Sequence, residues 1–230
     1  WAIIASVAAL GSVIWLLYFS TAFAIRRIDV VGSVTPDVLT EIQQLQGKNL
    51  FISSTEALEA RLRTAQSSIR ELAVYKGLPD TLRIEVGLRV PILRWKSGNE
   101  EYLVDATGVP FRRGTGTTET SVDETAPLVV DTANQSVMVG SPLVRPEFLD
   151  AIVTLHKEFP VRFPVSVDRF ELGDSTFETK LITKDGWAVL LDTTRPIEAQ
   201  LVAFGQVYGQ FNSEIKEYVD LRLEGRAYYK

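Results

Sequence analysis

The chain has 230 residues, a formal net charge of −5, 46% hydrophobic residues and no cysteine. That length allows one or two small domains, and the apolar share excludes a disordered chain. The negative charge, without any basic stripe, excludes a nucleic-acid partner, and the lack of cysteine excludes a disulfide framework and a thiol nucleophile.

The first 25 residues carry no charged side chain. As a single helix they would extend roughly 37 Å at about 1.5 Å per residue, which is enough to cross the hydrocarbon core of a membrane. A cleaved signal peptide is the alternative, because the letters TAFA at residues 21–24 resemble a small-residue cleavage site. The run is longer than a typical signal core, which favours an uncleaved transmembrane anchor at residues 1–25 that contacts membrane lipid.

Two arginines, Arg26 and Arg27, follow the apolar run directly. By themselves they favour a cytoplasmic location for the residues after them. The sequence begins at Trp1 rather than at methionine, so we expect a further N-terminal segment, which could hold the cytoplasmic positive charges. Arg26 and Arg27 therefore do not decide the orientation.

Residues 26–90 carry the pattern of a small α+β layer. Thr35 followed by Pro36 is typical of a helix start, because Thr caps a helix and Pro is tolerated at its first position. Ser53 and Glu56 have the spacing of a capping box ahead of a second helix. The order β-α-α-β-β predicts a sheet with two helices on one face. Its strands are expected at residues 28–31, 69–75 and 81–90.

Residues 91–230 are dominated by short strands. Amphipathic helices interrupt them at residues 145–159 and after Pro196. Residues 114–125, GTGTTETSVDET, predict a polar, mobile loop. The whole pattern predicts a mostly antiparallel β domain with two helices. Its strands are expected at residues 92–95, 102–104, 109–111, 165–172, 177–183 and 187–191, followed by a closing hairpin of residues 218–223 and 226–229.

No motif indicates an enzyme or a cofactor site. His156 is the only histidine, and on a predicted amphipathic helix a structural role is far more common than catalysis. No serine stands in a nucleophile-elbow pattern, and no phosphate-binding glycine pattern is present. Carboxylates are plentiful, but no spacing singles out a catalytic pair or a metal site. The sequence therefore predicts no catalytic residue, no metal and no cofactor.

The last residues, EYVDLRLEGRAYYK, predict a hairpin at the edge of a sheet. Gly225 is expected to supply the positive φ of its tight turn. Asp220 and Arg222 are expected on one face, and Arg226 and Tyr228 also share a face. Such an edge offers unpaired N–H and C=O groups to a partner strand. On residue pattern alone, the more common role is that the hairpin completes the sheet while its charges prevent aggregation.

Six stretches, in chain order, resemble the FtsQ/DivIB family of bacterial cell-division proteins. They are IDVVGSVTPDVLTEI, GKNLF, LPDTLRIEV, RVPILRW, LVDATGVPF and VDLRLEGRAYYK. They spread over most of the chain, and their ordered set is more specific than any one of them. The resemblance implies that residues 26–90 form a POTRA domain and residues 91–230 form the β domain of the family.

The resemblance also implies a function. We expect a non-enzymatic scaffold of the division machinery, held in the plasma (inner) membrane by one helix, with its bulk outside the cytoplasm at the septum. In the family the β domain binds the small coiled-coil proteins FtsB and FtsL, and the POTRA domain takes part in recruitment. On this basis the terminal hairpin is expected to bind the partner, through Arg222, Leu223, Gly225, Arg226, Ala227, Tyr228 and Tyr229.

Two other functions remain open. A POTRA module for outer-membrane protein assembly or secretion would need several POTRA repeats or a following barrel of many alternating strands. Neither pattern is present in the 230 residues. A membrane-anchored envelope hydrolase would need a set of catalytic residues, and no residue pattern in the sequence indicates one.

Overall fold

A computed structural model describes residues 1–111 and 126–230 of the chain. The loop predicted at residues 114–125 lies outside the described residues. The fold is α+β, and it divides into two compact units. Unit 1 comprises residues 1–89, and unit 2 comprises residues 90–111 and 126–230.

Unit 1 begins with helix α1, Ala2–Phe19. Its 18 residues extend about 27 Å at 1.5 Å per residue, whereas the hydrocarbon core of a bilayer is about 30 Å thick and is usually crossed by about 20 residues. Among the described residues, the structure has no helix that is both long and apolar enough to span a membrane. The prediction of a single N-terminal transmembrane helix at residues 1–25 is therefore wrong.

The helix ends early because the residues after it belong to the globular part of unit 1. Ser20 is extended (φ −76°, ψ 138°), and a single 3-10 turn follows at Thr21–Phe23. Ile25 is fully buried, and its N–H and C=O form 2.9 Å hydrogen bonds to the backbone of Lys48 and Gly47. The uncharged stretch is thus a helix followed by a buried core segment, a division that its uniform hydropathy does not reveal.

Five further elements complete unit 1 in the order β-α-α-β-β that the sequence predicts: β1 Arg27–Val31, α2 Pro36–Gln43, α3 Thr55–Ala65, β2 Ile69–Gly77 and β3 Thr81–Leu88. The described strands of this unit form a three-stranded sheet in the order β1-β3-β2. β1 runs parallel to β3, and β2 runs antiparallel to it. The parallel pair arises because both helices lie between β1 and the last two strands.

Helices α2 and α3 both begin at a side-chain cap. Thr35 caps α2, as predicted. The cap of α3 is Ser54, whose hydroxyl accepts a hydrogen bond from the N–H of Ala57 at 3.2 Å. The predicted cap, Ser53, instead donates its hydroxyl to the carbonyl oxygen of Asn49. The helix therefore starts one residue later than the capping-box spacing suggests.

The core of unit 1 lies between the sheet and helices α2 and α3. Apolar residues recur every three or four positions in α2 and α3, so each helix buries one stripe against the strands. The buried side chains are Ile25, Val38, Ile42, Leu45, Leu50, Leu58, Leu62, Ile69, Leu72, Leu82 and Ile84.

Unit 2 contains the remaining described strands and two helices. In chain order they are β4 Pro91–Ser97, β5 Glu100–Asp105, β6 Pro110–Phe111, β7 Leu128–Asp131, α4 Pro146–Arg162, β8 Val167–Leu172, β9 Glu178–Thr183, β10 Ala188–Asp192, α5 Ile197–Phe211, β11 Tyr218–Asp220 and β12 Tyr228–Tyr229. The described strands form one nine-stranded sheet in the order β12-β11-β10-β9-β8-β7-β4-β5-β6.

The sheet of unit 2 is mostly antiparallel, with three parallel pairs in the described strands. Two of these pairs, β7 with β8 and β10 with β11, enclose the helices α4 and α5 along the chain. A helix that crosses over a sheet returns the chain in its original direction, which makes the next strand parallel. The helices therefore determine the strand order that carries β11 and β12 to one end of the sheet.

Helices α4 and α5 cover one face of this sheet. Phe159 of α4 and Phe204 of α5 are fully buried, with ring centroids 4.9 Å apart. Trp187, which precedes β10, stacks on Phe204 at 6.1 Å. On the other face, which we call the open face, side chains such as Lys180 and Leu190 are exposed or half-buried. The same strands thus bury alternate side chains in the core and expose the others to solvent on the open face.

A glycine in unit 1 supports a testable prediction about stability. Gly32 has φ +109°, and a Cβ there would lie 2.1 Å from the carbonyl oxygen of Val86. Gly47 has φ +83°, but a Cβ there would have no heavy atom within 4 Å. We expect Gly47→Ala to lower the free energy of unfolding by about 1 kcal/mol through backbone strain alone. Gly32→Ala, which adds a backbone clash, should lower it by about 2–5 kcal/mol.

Native-state amide exchange at the buried residue Ile84 would measure both effects, because Ile84 lies in the central strand of unit 1. Equal destabilisation by the two substitutions would contradict the close approach of Gly32 to β3.

Candidate functional site

The two ends of the sheet in unit 2 differ. At one end, Pro110 of β6 has no N–H to offer, and its carbonyl oxygen accepts the N–H of Gly140 at 3.0 Å. Leu143 adds a second bond to this side, from its N–H to the carbonyl oxygen of Gly108 at 2.8 Å. The edge at β6 is therefore covered by the chain itself, in the way that proteins protect edge strands.

At the other end lies β12, as the prediction of a terminal edge strand requires. Tyr218 and Lys230 exchange two backbone hydrogen bonds, of 3.0 and 3.3 Å, so they form a hydrogen-bonded pair of the antiparallel ladder. Tyr229 stands opposite Val219, one position along. Because bonded and non-bonded pairs alternate in such a ladder, the N–H and C=O of Tyr229 point away from β11. They form the template that an added strand would use.

The ring of Tyr229 is fixed against the helix side of the sheet. It stacks on Phe211, with ring centroids 5.0 Å apart and planes 20° apart. Its hydroxyl lies 3.2 Å from a carboxylate oxygen of Glu214 and donates to it. Partial burial and this carboxylate both raise the pKa of Tyr229. Ala227 packs against the same core.

The neighbouring Tyr228 faces the other way. It stands opposite Asp220, which in turn stands opposite Leu190 on the open face. Tyr228 is 47% exposed. Strand β12 therefore presents one tyrosine to the helix side and one to solvent, as expected for a period of two residues.

The turn before β12 is tight and exposed. Gly225 has φ +68°, which confirms the predicted need for glycine. The N–H of Arg226 bonds to the carbonyl oxygen of Leu223 at 3.3 Å, which closes a four-residue turn. Leu223 is 58% exposed, and Arg226 is also exposed. Leu223 and Arg226 are thus free to touch a partner.

Arg222 occupies a different environment from the other predicted partner residues. Its Nε and Nη2 donate to the two carboxylate oxygens of Asp220 at 3.0 and 2.7 Å, and its Nη1 donates to Glu178 at 2.7 Å. Asp220 and Arg222 therefore share a face, as predicted. The bonds from Arg222 lower the pKa of Asp220, and bonds from Asp220 and Glu178 raise the pKa of Arg222. The guanidinium is engaged within the chain.

A second arginine, Arg195, bonds to the backbone of the same segment. Nη1 of Arg195 donates to the carbonyl oxygens of Leu221 and Arg222 at 3.2 and 3.1 Å. The sequence predicts that this strand continues to Leu223. In the structure β11 ends at Asp220, because the two following carbonyl oxygens bond to Arg195 instead of to a strand. Glu178 lies 44 residues before Arg222 in the chain. No local pattern could have identified Glu178 or Arg195.

In residues 1–111 and 126–230, no group of three or more His, Asp or Glu side chains is arranged to hold a metal ion. His156 is half-buried on α4.

The fold and this edge together describe an α+β protein whose second unit ends in a strand open to pairing. A family model described as "Cell division protein FtsQ/DivIB, C-terminal" matches residues 93–222, which is more than half of the chain. The chain belongs to the FtsQ/DivIB family, which confirms the resemblance found in the sequence. The matched region ends at Arg222, so β12 lies just beyond it.

Curated relatives agree with this assignment. The chain is 34% identical over 114 residues to the cell division protein FtsQ of Streptomyces coelicolor, covering 47% of this chain and 42% of that protein. It is 28% identical over 132 residues to the FtsQ of Chloroflexus aurantiacus, covering 56% and 47%. It is 31% identical over 124 residues to the FtsQ of Streptomyces venezuelae, covering 53% and 44%. The aligned part spans less than half the length of each relative.

The Asp220–Arg222 pair gives a testable dependence on pH. The folded state lowers the pKa of Asp220 below the ordinary value of about 3.9. The pair therefore stabilises the fold fully at neutral pH, and this contribution is lost as the pH falls below about 4 and through the lowered pKa. Asp220→Asn should be less stable than the unaltered protein at pH 7, and the difference should shrink on acidification.

Urea titrations followed by the NMR signals of β10 would measure this convergence. A stability difference that stays constant down to about pH 2.5 would contradict a pKa lowered by Arg222.

Proposed function

We propose that this chain serves bacterial cell division as a non-enzymatic scaffold at the septum, and that it links division proteins by binding FtsB-like and FtsL-like partners along β12. Unit 1, with its β-α-α-β-β order, corresponds in this proposal to the POTRA domain, and unit 2 to the β domain. Membership of the FtsQ/DivIB family supports the division role.

The observation that carries the partner site is the difference between the two sheet edges. β6 begins with a proline and is covered by residues 140–143, whereas β12 directs the N–H and C=O of Tyr229 outward. A partner strand can add there, since its backbone would continue the ladder and gain hydrogen bonds of about 0.5–1.5 kcal/mol each.

The side chains around β12 specify what the added strand should look like. On the helix side it would lie beside the stacked rings of Tyr229 and Phe211, which favour an apolar residue. On the open face it would lie beside the exposed Tyr228. The partner strand should therefore alternate apolar and polar residues, with period two.

Of the residues predicted to bind the partner, six are available in this proposal. The direct contacts are Leu223, Gly225, Arg226, Ala227, Tyr228 and Tyr229. The guanidinium of Arg222 bonds Asp220 and Glu178, so a direct salt bridge from Arg222 to a partner would first break bonds within the chain.

In-cell photocrosslinking tests the partner and its position. A benzoylphenylalanine probe at Tyr228 should form a covalent product that antibodies against the FtsB or FtsL of the same organism recognise. The matched control is the same probe at Tyr75, an exposed tyrosine in strand β2 of unit 1. Absence of a product from position 228, or equal products from both positions, would contradict binding at β12.

Proline tests whether the backbone of β12 forms the contact. Tyr229→Ala and Tyr229→Pro both remove the ring that stacks on Phe211, but only proline also removes the outward N–H. We expect the proline variant to bind the FtsB-like protein at least about fivefold more weakly than the alanine variant, the equivalent of about one hydrogen bond. Isothermal titration of the purified proteins would measure both. Equal affinities would rule out strand addition at Tyr229.

A further inference from the structure

We infer that Glu178 and Arg195 are positioning residues for the partner edge: together with Arg222 they hold residues 221–226 in the shape that presents β12 to an added strand. This inference rests on the proposed function, because it concerns how the same edge is prepared for binding. Both residues lie far from β12 in sequence, and neither touches the outward groups of Tyr229.

The edge needs support because its own pairing is short. β11 contributes three residues and β12 two. β11 also pairs with β10, but among the described strands β12 pairs with β11 alone, and strand pairing of this length is weak by itself. Residues 221–227 join the two strands, and residues 223–226 at the turn are all exposed. Without further contacts the turn would sample many conformations, and a partner would have to order it on binding.

Arg195 supplies the first contact. It precedes Pro196 and helix α5, and its own N–H bonds back to the carbonyl oxygen of Asp192 at the end of β10. From this anchored position its guanidinium reaches the carbonyl oxygens of Leu221 and Arg222. These two bonds fix the point at which the chain leaves strand β11, immediately before the turn.

Glu178 supplies the second contact from the far side of β10. It is the first residue of β9, and it accepts the Nη1 bond of Arg222 while Asp220 accepts from Nε and Nη2. A planar guanidinium bound by two carboxylates has a fixed orientation. Arg222 therefore connects β9 to the start of the turn, across the intervening β10.

The role of these contacts is separable from stability. Glu178 is 58% exposed and Arg222 36% exposed, and exposed ion pairs contribute little to the stability of a fold. Glu198 provides a matched control, because it is 62% exposed and accepts two 2.7 Å bonds from Arg162 between α4 and α5, away from β12. Loss of Glu178 should therefore disturb the edge without unfolding unit 2.

Hydrogen exchange in the purified full chain tests positioning without any partner. In Glu178→Ala and in Arg195→Met, the N–H of Tyr228 should exchange at least tenfold faster than in the unaltered protein, with an unchanged melting temperature. Glu178→Gln, which keeps an acceptor oxygen for Arg222, should restore exchange to within about twofold. Glu198→Ala should leave exchange at Tyr228 unchanged. Exchange at Tyr228 that is as slow in Glu178→Ala as in Glu198→Ala would overturn the inference.

Crosslinking then tests the link to binding. With the probe at position 228, Glu178→Ala and Arg195→Met should lower the yield of the FtsB- or FtsL-containing product at least fivefold, and Glu198→Ala should not. Faster exchange with an unchanged yield would overturn the role in partner binding. If the unaltered chain gives no product, the proposed function fails, while the exchange rates still decide whether Glu178 and Arg195 position β12.

Discussion

Each interior strand of the large sheet satisfies its backbone N–H and C=O groups with two neighbours, whereas β12 has one neighbour among the described strands. This unmet hydrogen bonding is the constraint around which unit 2 is organised, because backbone polar groups require a partner or water. The opposite edge meets the same constraint with Pro110 and a covering segment. At β12 the chain leaves the groups of Tyr229 directed outward. Within the described residues, the sheet is therefore covered at one edge and open to strand pairing at the other.

Helices α4 and α5 and the two arginines explain why the open strand β12 lies at this end of the sheet. α4 and α5 each convert a strand connection into a parallel crossover, which moves β11 to the end of the sheet. Arg195 and Arg222 then fix the departure of the chain from β11 before it returns as β12. The core contributes through Phe211, which holds the ring of Tyr229. The strand order, the turn held by the two arginines and the ring of Tyr229 thus together determine the position of β12.

The sequence predicts features that depend on neighbours along the chain. Thr35 as a helix cap, Gly225 in a tight turn and the shared face of Asp220 and Arg222 are local, and the structure has all three. The extent of α1 and the bond from Glu178 depend on tertiary packing. Ile25 joins the core of unit 1 although it continues an uncharged run, and Glu178 meets Arg222 only because β9 and β11 flank β10. No pattern of spacing encodes such contacts.

The unequal edges also limit how copies of this unit could join one another. A head-to-tail association, with β12 of one copy against β6 of the next, would repeat without end and produce a fibre. Pro110 has no N–H, and its carbonyl oxygen already accepts the N–H of Gly140, so Pro110 offers no backbone group to which a neighbouring copy could bond. If two copies instead paired through their β12 strands, across a two-fold axis, that arrangement would close on itself. Pro110 and the segment that covers it thus oppose the head-to-tail pairing that would build a fibre.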